Sequence, residues 1–178
     1  MELIYIKELS KAYGKMKVLD YLSVSYESGK IYGLVGENGA GKTTLFNCIM
    51  GVTDYDGEIR KFSKMAVGYM PAESFFYSLI TGKEYLEFCI KAKGKKMDAK
   101  AIDSLNKAFQ LPLERFASDY STGMKKKLAL MSLLLQDNDL YILDEPFNGV
   151  DLYGCIQLKR IIRELKNKGK TVIISSHL

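Results

Sequence analysis

The hydrophobic pattern of the chain up to Pro71 is typical of strands. Apolar and β-branched residues, which favour extended chain, fill stretches that are separated by turn residues such as Gly14. The run at 30–35, just before the first cluster of glycines, is short and mostly apolar, as is typical of a strand that is buried on both faces. The pattern therefore predicts strands at 3–9, 18–26, 30–35, 58–62 and 66–70, with a helix at 42–50.

After Pro71 the apolar residues recur at helical spacing. This part of the pattern predicts helices at 84–92, 99–109 and 121–135, then a strand at 140–143, a helix at 151–168 and a strand at 171–175. Strands that alternate with helices around a helical insert predict an α/β fold with a mainly parallel sheet.

Composition narrows the class of protein. With 178 residues, 47% hydrophobic and 26% charged, the chain is typical of one folded domain rather than of a disordered protein. The longest apolar stretch, 128–135, is too short to cross a bilayer, and the amino terminus is not typical of a signal peptide. Scattered cysteines (Cys48, Cys89 and Cys155) indicate free thiols, so we expect a cytoplasmic protein. The net charge of +5 is too small to select a partner.

The segment 36–43 fits the pattern G-x-x-x-x-G-K-[ST] between a predicted strand and a predicted helix. Glycines let backbone N–H groups point at phosphate oxygens, and the helix start adds a positive dipole end. The pattern predicts a phosphate-binding loop, in which a hydroxyl binds Mg²⁺ and a lysine bridges the β- and γ-phosphates. The candidate residues are Gly36, Asn38, Gly39, Ala40, Gly41, Lys42, Thr43 and Thr44, with Thr43 as the metal ligand.

Two acids follow the strand predicted at 140–143. Ligands of parallel sheets bind beyond the carboxyl ends of the strands. Asp144 is therefore a candidate to hold Mg²⁺, and Glu145 is a candidate general base that polarises a water for attack on the γ-phosphate. Alone, this pair could equally cap the turn before Pro146; beside a phosphate loop, the catalytic interpretation is favoured.

Further motifs in this order resemble those of the ATP-binding cassette (ABC) ATPases. The segment Tyr120-Ser121-Thr122-Gly123-Met124 resembles the family signature, in a form similar to that of bacterial exporters whose ATPase and membrane chains are separate. Segments 144–146 and 148–151 resemble the Walker B motif and the D-loop. His177, the only histidine, resembles the switch histidine, and Tyr13 the aromatic residue that stacks on adenine.

The resemblance implies one nucleotide-binding domain over 1–178. A P-loop NTPase (RecA-like) core would comprise 1–71 and 136–178 and include an N-terminal antiparallel β subdomain, and 72–135 would form a helical subdomain. The implied protein binds Mg-ATP, pairs head to tail with a second ABC ATPase subunit as a homo- or heterodimer, and energises a separate transmembrane permease from the inner face of the cell membrane. Catalytic roles are implied for Glu145 and His177.

By the same resemblance, Ser121 and Gly123 would contact the γ-phosphate of the ATP held by the partner subunit. Physical chemistry agrees, because the start of a helix at Ser121 is an anion site. Taken alone, however, this serine is better explained as a plain helix cap.

The chain departs from the family pattern in places. Ala72 stands where the family usually has Gln after G-Y-x-P, and alanine cannot ligate Mg²⁺ or order the attacking water. We therefore expect weakened coupling or slow hydrolysis unless Glu73 substitutes. Thr122 replaces a usual glycine. The chain also stops at Leu178, sooner than family members usually do, which we interpret as a truncation or a shortened subunit.

Two other functions stay open. One is a soluble, non-transport ABC ATPase that acts on ribosomes or nucleic acid, although a single cassette makes a nucleic-acid partner unlikely; the other is a regulator that binds ATP with little turnover. The lysine runs around 91–100 and 125–127 are interpreted as solvated faces. The adjacent Phe75, Phe76 and Tyr77 predict either an exposed docking patch for the membrane subunit or a buried aromatic cluster.

Overall fold

The computed structural model describes residues 1–62, 64–96 and 98–177. The elements in chain order are strands β1 (Glu2–Tyr13), β2 (Met16–Glu27) and β3 (Ile31–Val35), helix α1 (Lys42–Met50), strands β4 (Asp56–Lys61) and β5 (Val67–Met70), helices α2 (Gly82–Ala92), α3 (Ala99–Phe109) and α4 (Thr122–Gln136), strand β6 (Leu140–Leu143), helix α5 (Leu152–Asn167) and strand β7 (Thr171–Ser176).

The first sheet is antiparallel, in the order β2-β1-β4. Its hairpin turns at Gly14, whose φ of 60° is readily adopted by glycine. The side chains of Ile4, Ile6 and Leu9 are fully buried against α1 residues such as Phe46. This sheet therefore forms one layer of the molecule and α1 the next.

The second sheet is parallel, in the order β3-β7-β6-β5. All four residues of β6 are buried because the strand has neighbours on both sides and is covered on both faces. Leu140 and Ile142 face the core shared with α1, and Tyr141 and Leu143 face the core shared with the helices α2–α5. The carboxyl ends of β3, β6 and β7 consequently meet at one edge of the sheet.

The α/β fold, with a parallel core sheet and an antiparallel N-terminal subdomain, is confirmed. Helices α1 and α3 and strand β6 have the predicted bounds, and most other elements differ by one or two residues. The larger difference is β1, which continues to Tyr13 because pairing with β2 extends past the apolar run. Leu128 and Met131 of α4 share one hydrophobic core with Tyr141 of β6, so the helical insert packs directly on the sheet.

Candidate functional site

The loop 36–41 joins the end of β3 to the start of α1. Gly39 and Gly41 have φ of 87° and 86°, in the left-handed region that favours glycine. A Cβ at Gly41 would lie 2.9 Å from the carbonyl oxygen of Val18, so this position has no room for a side chain. Gly41 is also the N-cap of α1 and offers no side-chain acceptor to the first N–H groups, which remain available to an anion.

Lys42, 9% exposed, folds back over this loop. Its Nζ donates to the carbonyl oxygens of Gly36, at 2.5 Å, and Glu37, at 3.0 Å. The same Nζ lies 3.3 Å from Oε1 of Glu145. An ammonium held between two carbonyls and one carboxylate is well placed to bind a phosphate oxygen.

Asp144, at the carboxyl end of β6, is 1% exposed and accepts three hydrogen bonds. The Thr43 hydroxyl donates to Oδ2 at 2.6 Å, the Ser175 hydroxyl donates to Oδ1 at 2.5 Å, and the Tyr69 hydroxyl lies 3.4 Å from Oδ2. Burial, followed by the negative charge of Asp144, raises the pKa of Tyr69 to about 12. The phenol therefore stays protonated and remains a donor to the carboxylate.

Glu145 connects the loop lysine to His177, which follows β7. Its Oε2 lies 2.8 Å from Nδ1 of His177, and its Oε1 has, among the described residues, no hydrogen-bond partner. Burial raises the pKa of Glu145, but the hydrogen bond with His177 and the interaction with Lys42 together lower it by more, so the net pKa lies below its ordinary value. The side chain is consequently an ionised carboxylate at neutral pH.

A cleft of about 390 Å³ lies over the loop. Its lining comprises Met16, Val18, Asn38, Gly39, Ala40, Gly41, Lys42, Thr43, Thr44, Ala72, Asp144 and Glu145. Tyr13, which is 51% exposed, is not part of this lining, whereas Met16, its partner in the β1–β2 hairpin, is. Gly36 and His177 are also outside this lining; the carbonyl oxygen of Gly36 accepts from Lys42, and Nδ1 of His177 contacts Glu145.

Ala72 contributes only a methyl group to the cleft, and Glu73 is exposed and outside the lining. The position after Pro71 therefore supplies no side-chain oxygen to a metal ion or a water. Elsewhere in the described residues no group of three or more His, Cys, Asp or Glu side chains could hold a metal. A divalent ion at Thr43 and Asp144 would need phosphate oxygens and water as further ligands, which is the usual coordination of Mg²⁺ in proteins that bind nucleotides.

The signature segment, 120–124, lies outside the cleft over the phosphate-binding loop. Ser121 caps α4, with its Oγ accepting from the Met124 N–H at 3.3 Å. It lines a second cleft of about 370 Å³ with Gly123 and the segment 149–151, and the two clefts share no lining residue. Gly149 packs closely against the signature segment, since a Cβ at this position would lie 3.0 Å from Cγ2 of Thr122.

Sequence reasoning missed two buried residues that contact the acids. Ser175 donates to Asp144 and accepts from the N–H of Glu145, and Lys126 donates to the carbonyl of Glu145. A run of three lysines indicates a solvated face, but Lys126 has helical spacing with Leu130 and Leu133, and that spacing could have identified it as buried. The hydroxyl of Ser175 gave no comparable signal.

A parallel sheet with a phosphate-binding loop after one strand and an acid pair after another defines a P-loop ATPase. The family model described as ABC transporter matches residues 19–148. The chain belongs to the ABC transporter family and is similar to its ATP-binding proteins.

Named relatives and solved structures agree with that assignment. An uncharacterized ABC transporter ATP-binding protein of Methanocaldococcus jannaschii is 35% identical, over 98% of this chain and 68% of the relative. The bacitracin transport ATP-binding protein BcrA of Enterococcus faecalis is 33% identical, over 98% of this chain and 61% of the relative. The solved structure of an ATP-binding subunit of an ABC transporter has a TM-score of 0.88 and 28% identity, over 99% of this chain and 80% of that one.

The chain spans 68%, 54% and 61% of the length of the first three curated relatives that it matches. No helix within the described residues is both long and apolar enough to cross a membrane.

Proposed function

We propose that this chain hydrolyses Mg-ATP to drive a separate transmembrane permease, and that it does so as a dimer with a second ABC ATPase subunit. One observation carries the proposal: Lys42 and Thr43 of the loop, Asp144 and Glu145 after β6, and His177 after β7 are joined by direct contacts at one edge of the sheet. These are the groups that phosphoryl transfer to water needs.

Each group has a role in this proposal. The N–H groups of 36–41 and the start of α1, with Lys42 and Thr44, bind the phosphates, and Thr43 and Asp144 hold Mg²⁺. When bound, the metal ion neutralises charge that develops on the phosphate oxygens. Glu145 accepts the proton of the attacking water because its low pKa keeps it ionised. His177 orients that carboxylate and contacts the γ-phosphate.

The need for a second subunit follows from the two separate clefts. Ser121 and Gly123 line a cleft that contains none of the phosphate-loop residues. A helix N-terminus of this kind attracts anions. Head-to-tail pairing would supply the γ-phosphate from the loop of another subunit, so each ATP would lie between one loop and one signature segment.

The surface that we propose for the membrane partner follows the cleft residue Ala72 in the chain. The apolar patch comprises Phe75, Tyr77 and Leu79, which are 80%, 72% and 80% exposed, whereas Phe76 between them is buried against Tyr85. The run is therefore buried at Phe76 and exposed at Phe75 and Tyr77, and the docking role of the exposed residues stays a prediction. Exposed neighbouring apolar side chains are typical of a protein interface, and we assign this one to a permease at the inner face of the membrane.

The names of relatives include bacitracin and lantibiotic transport ATP-binding proteins. Export is the direction of transport that we favour, because segment 120–124 resembles the signature of bacterial exporters. The transported substrate would be selected by the permease and not by this chain.

A regulator with little turnover is the second candidate, and the methyl group of Ala72 in the cleft favours it. Steady-state hydrolysis separates the two. We expect measurable Mg-ATP turnover that falls about 10²–10⁴-fold in Glu145→Gln while ATP binding is retained, as for loss of a general base. Equal rates in the two proteins would favour the regulator.

Permease docking is tested by the double variant Tyr77→Ser, Leu79→Ser. It should reduce association with the membrane subunit and leave hydrolysis by the isolated chain unchanged. Val52→Ser, an exposed apolar residue outside the patch, is the matched control.

A further inference from the structure

Glu145 has an uncommon backbone conformation. Its φ of 47° lies in the left-handed region, which is unfavourable for a residue with a Cβ. This conformation directs the side chain towards Lys42 and His177. A rotation of φ into the ordinary range would swing the Cα–Cβ bond and break both contacts.

Contacts on both sides hold this backbone. The Ser175 hydroxyl accepts the N–H of Glu145 at 2.8 Å. The carbonyl oxygen of Glu145 accepts the N–H of Asn148, at 3.2 Å, and Nζ of Lys126. The backbone polar groups of Glu145 therefore all have partners, and only one of these comes from a charged side chain.

Lys126 is buried to a degree that is rare for lysine. It is 6% exposed on α4 and lies beside a small cavity of about 20 Å³ that is lined by apolar side chains such as Met70, Phe109 and Leu130. No carboxylate of the described residues forms an ion pair with it. Burial lowers the pKa of Lys126, and the charges of Glu145 and Asp144 offset this only in part. A methionine would fill the same space without the cost of desolvating an ammonium group.

We propose that Lys126 is a positioning residue, which fixes the carbonyl of Glu145 and thereby aims the general base from the signature helix α4. The inference rests on the proposed function, because it takes Glu145 as the base. Ser121, the cap of α4, precedes Lys126 by little more than one helical turn. A shift of the signature end of α4 would therefore move Lys126 and, through it, the carbonyl of Glu145 in the same subunit.

Lys126→Met tests the proposal, with Lys125→Met, the preceding and more exposed lysine, as the matched control. We expect kcat to fall about tenfold or more, since small misplacements of a reacting group cost up to about 100-fold. The Kd for ATP should stay within about twofold, because binding uses the loop and not Glu145. The melting temperature should not fall, and Lys126→Arg should restore most of kcat.

A purely structural role predicts otherwise. Unchanged kcat in Lys126→Met overturns the proposal, and so does a loss that follows a lowered melting temperature and is not rescued by arginine. Lys126→Gln, too short to reach the carbonyl, gives the same test if the methionine variant does not fold. In Glu145→Gln, adding Lys126→Met should not lower the residual single-turnover rate further; an equal further loss would show that Lys126 acts on another group. If Lys125→Met and the unchanged protein hydrolyse no ATP, the proposed function fails instead.

Discussion

The hydroxyl of Thr43 donates a hydrogen bond to Oδ2 of Asp144 at 2.6 Å, across 101 positions of sequence. This contact joins the first turn of α1 to the carboxyl end of β6. It places the two proposed metal ligands side by side, with the orientation of Asp144 fixed further by Ser175. A divalent ion between phosphate and protein would therefore meet ligands that are already positioned.

Removing the Thr43 hydroxyl should impair the metal-dependent step. We expect Thr43→Val to lower kcat at least tenfold, equivalent to about 1.4 kcal/mol, and to raise the Mg²⁺ concentration needed for half-maximal rate. Thr43→Ser keeps the hydroxyl and should retain most of the activity. A Mg²⁺ titration of the ATPase rate measures both effects, and identical titrations for the valine and serine variants would refute this role of Thr43.

Ser175 should contribute to stability and to activity. Its hydroxyl is buried and serves Asp144 and Glu145 at once. Ser175→Ala leaves both partners without it, so we expect a loss of about 1–3 kcal/mol in the free energy of unfolding, together with a lower kcat. Denaturant unfolding and steady-state ATPase assays measure the two losses.

The matched control for Ser175 is Ser132→Ala. Ser132 is similarly buried, and its hydroxyl donates to the carbonyl of Ala129 within α4 rather than to Asp144 or Glu145. Ser132→Ala should lower the free energy of unfolding only modestly and leave kcat unchanged. Equal effects of the two substitutions on kcat would mean that Ser175 has no particular role at the acids.

Ala72→Gln should speed hydrolysis or strengthen its stimulation by the membrane partner, because the glutamine would bring a side-chain oxygen into the cleft. Glu73→Gln, at an exposed position outside the cleft, serves as the control and should change neither. ATPase rates with and without the partner give the answer. Our account of this departure fails if Ala72→Gln leaves both rate and stimulation as they were.

The thiols should react slowly in the folded protein. Burial raises the pKa of Cys48 and of Cys89, so at pH 8 each has less thiolate than an ordinary cysteine, and thiolate is the reactive form. Alkylation by iodoacetamide, followed by mass spectrometry, should be slow at both and should accelerate as pH rises past 9. Unfolding should abolish the difference, and fast labelling of either thiol at pH 8 in the folded protein would contradict this prediction.

The parts of the site that the sequence predicted well are contiguous. The loop 36–43 and the pair Asp144 and Glu145 each lie between a strand and a turn or helix, so local pattern defines both their chemistry and their position. The parallel sheet followed from the same alternation, and it brings the ends of β3, β6 and β7 together.

The parts that were not predicted depend on tertiary packing. Lys126 belongs to a lysine run, and although its helical spacing with Leu130 sets it apart, its contact with Glu145 depends on how α4 packs. Tyr13 and Met16 pair in one hairpin, so the sequence order could not decide which of them lines the cleft. The adenine-stacking role of Tyr13 remains a prediction.

The most direct test of the central proposal is ATP-dependent dimerisation of Glu145→Gln, measured by light scattering with and without Mg-ATP. Blocking hydrolysis should trap two ATPs between phosphate loops and signature segments, so the mass should double only when Mg-ATP is present. Lys42→Ala in the same background should remain a monomer because it lacks the phosphate ligand. A persistent monomer of Glu145→Gln that nevertheless binds ATP would contradict head-to-tail pairing between two copies of this chain.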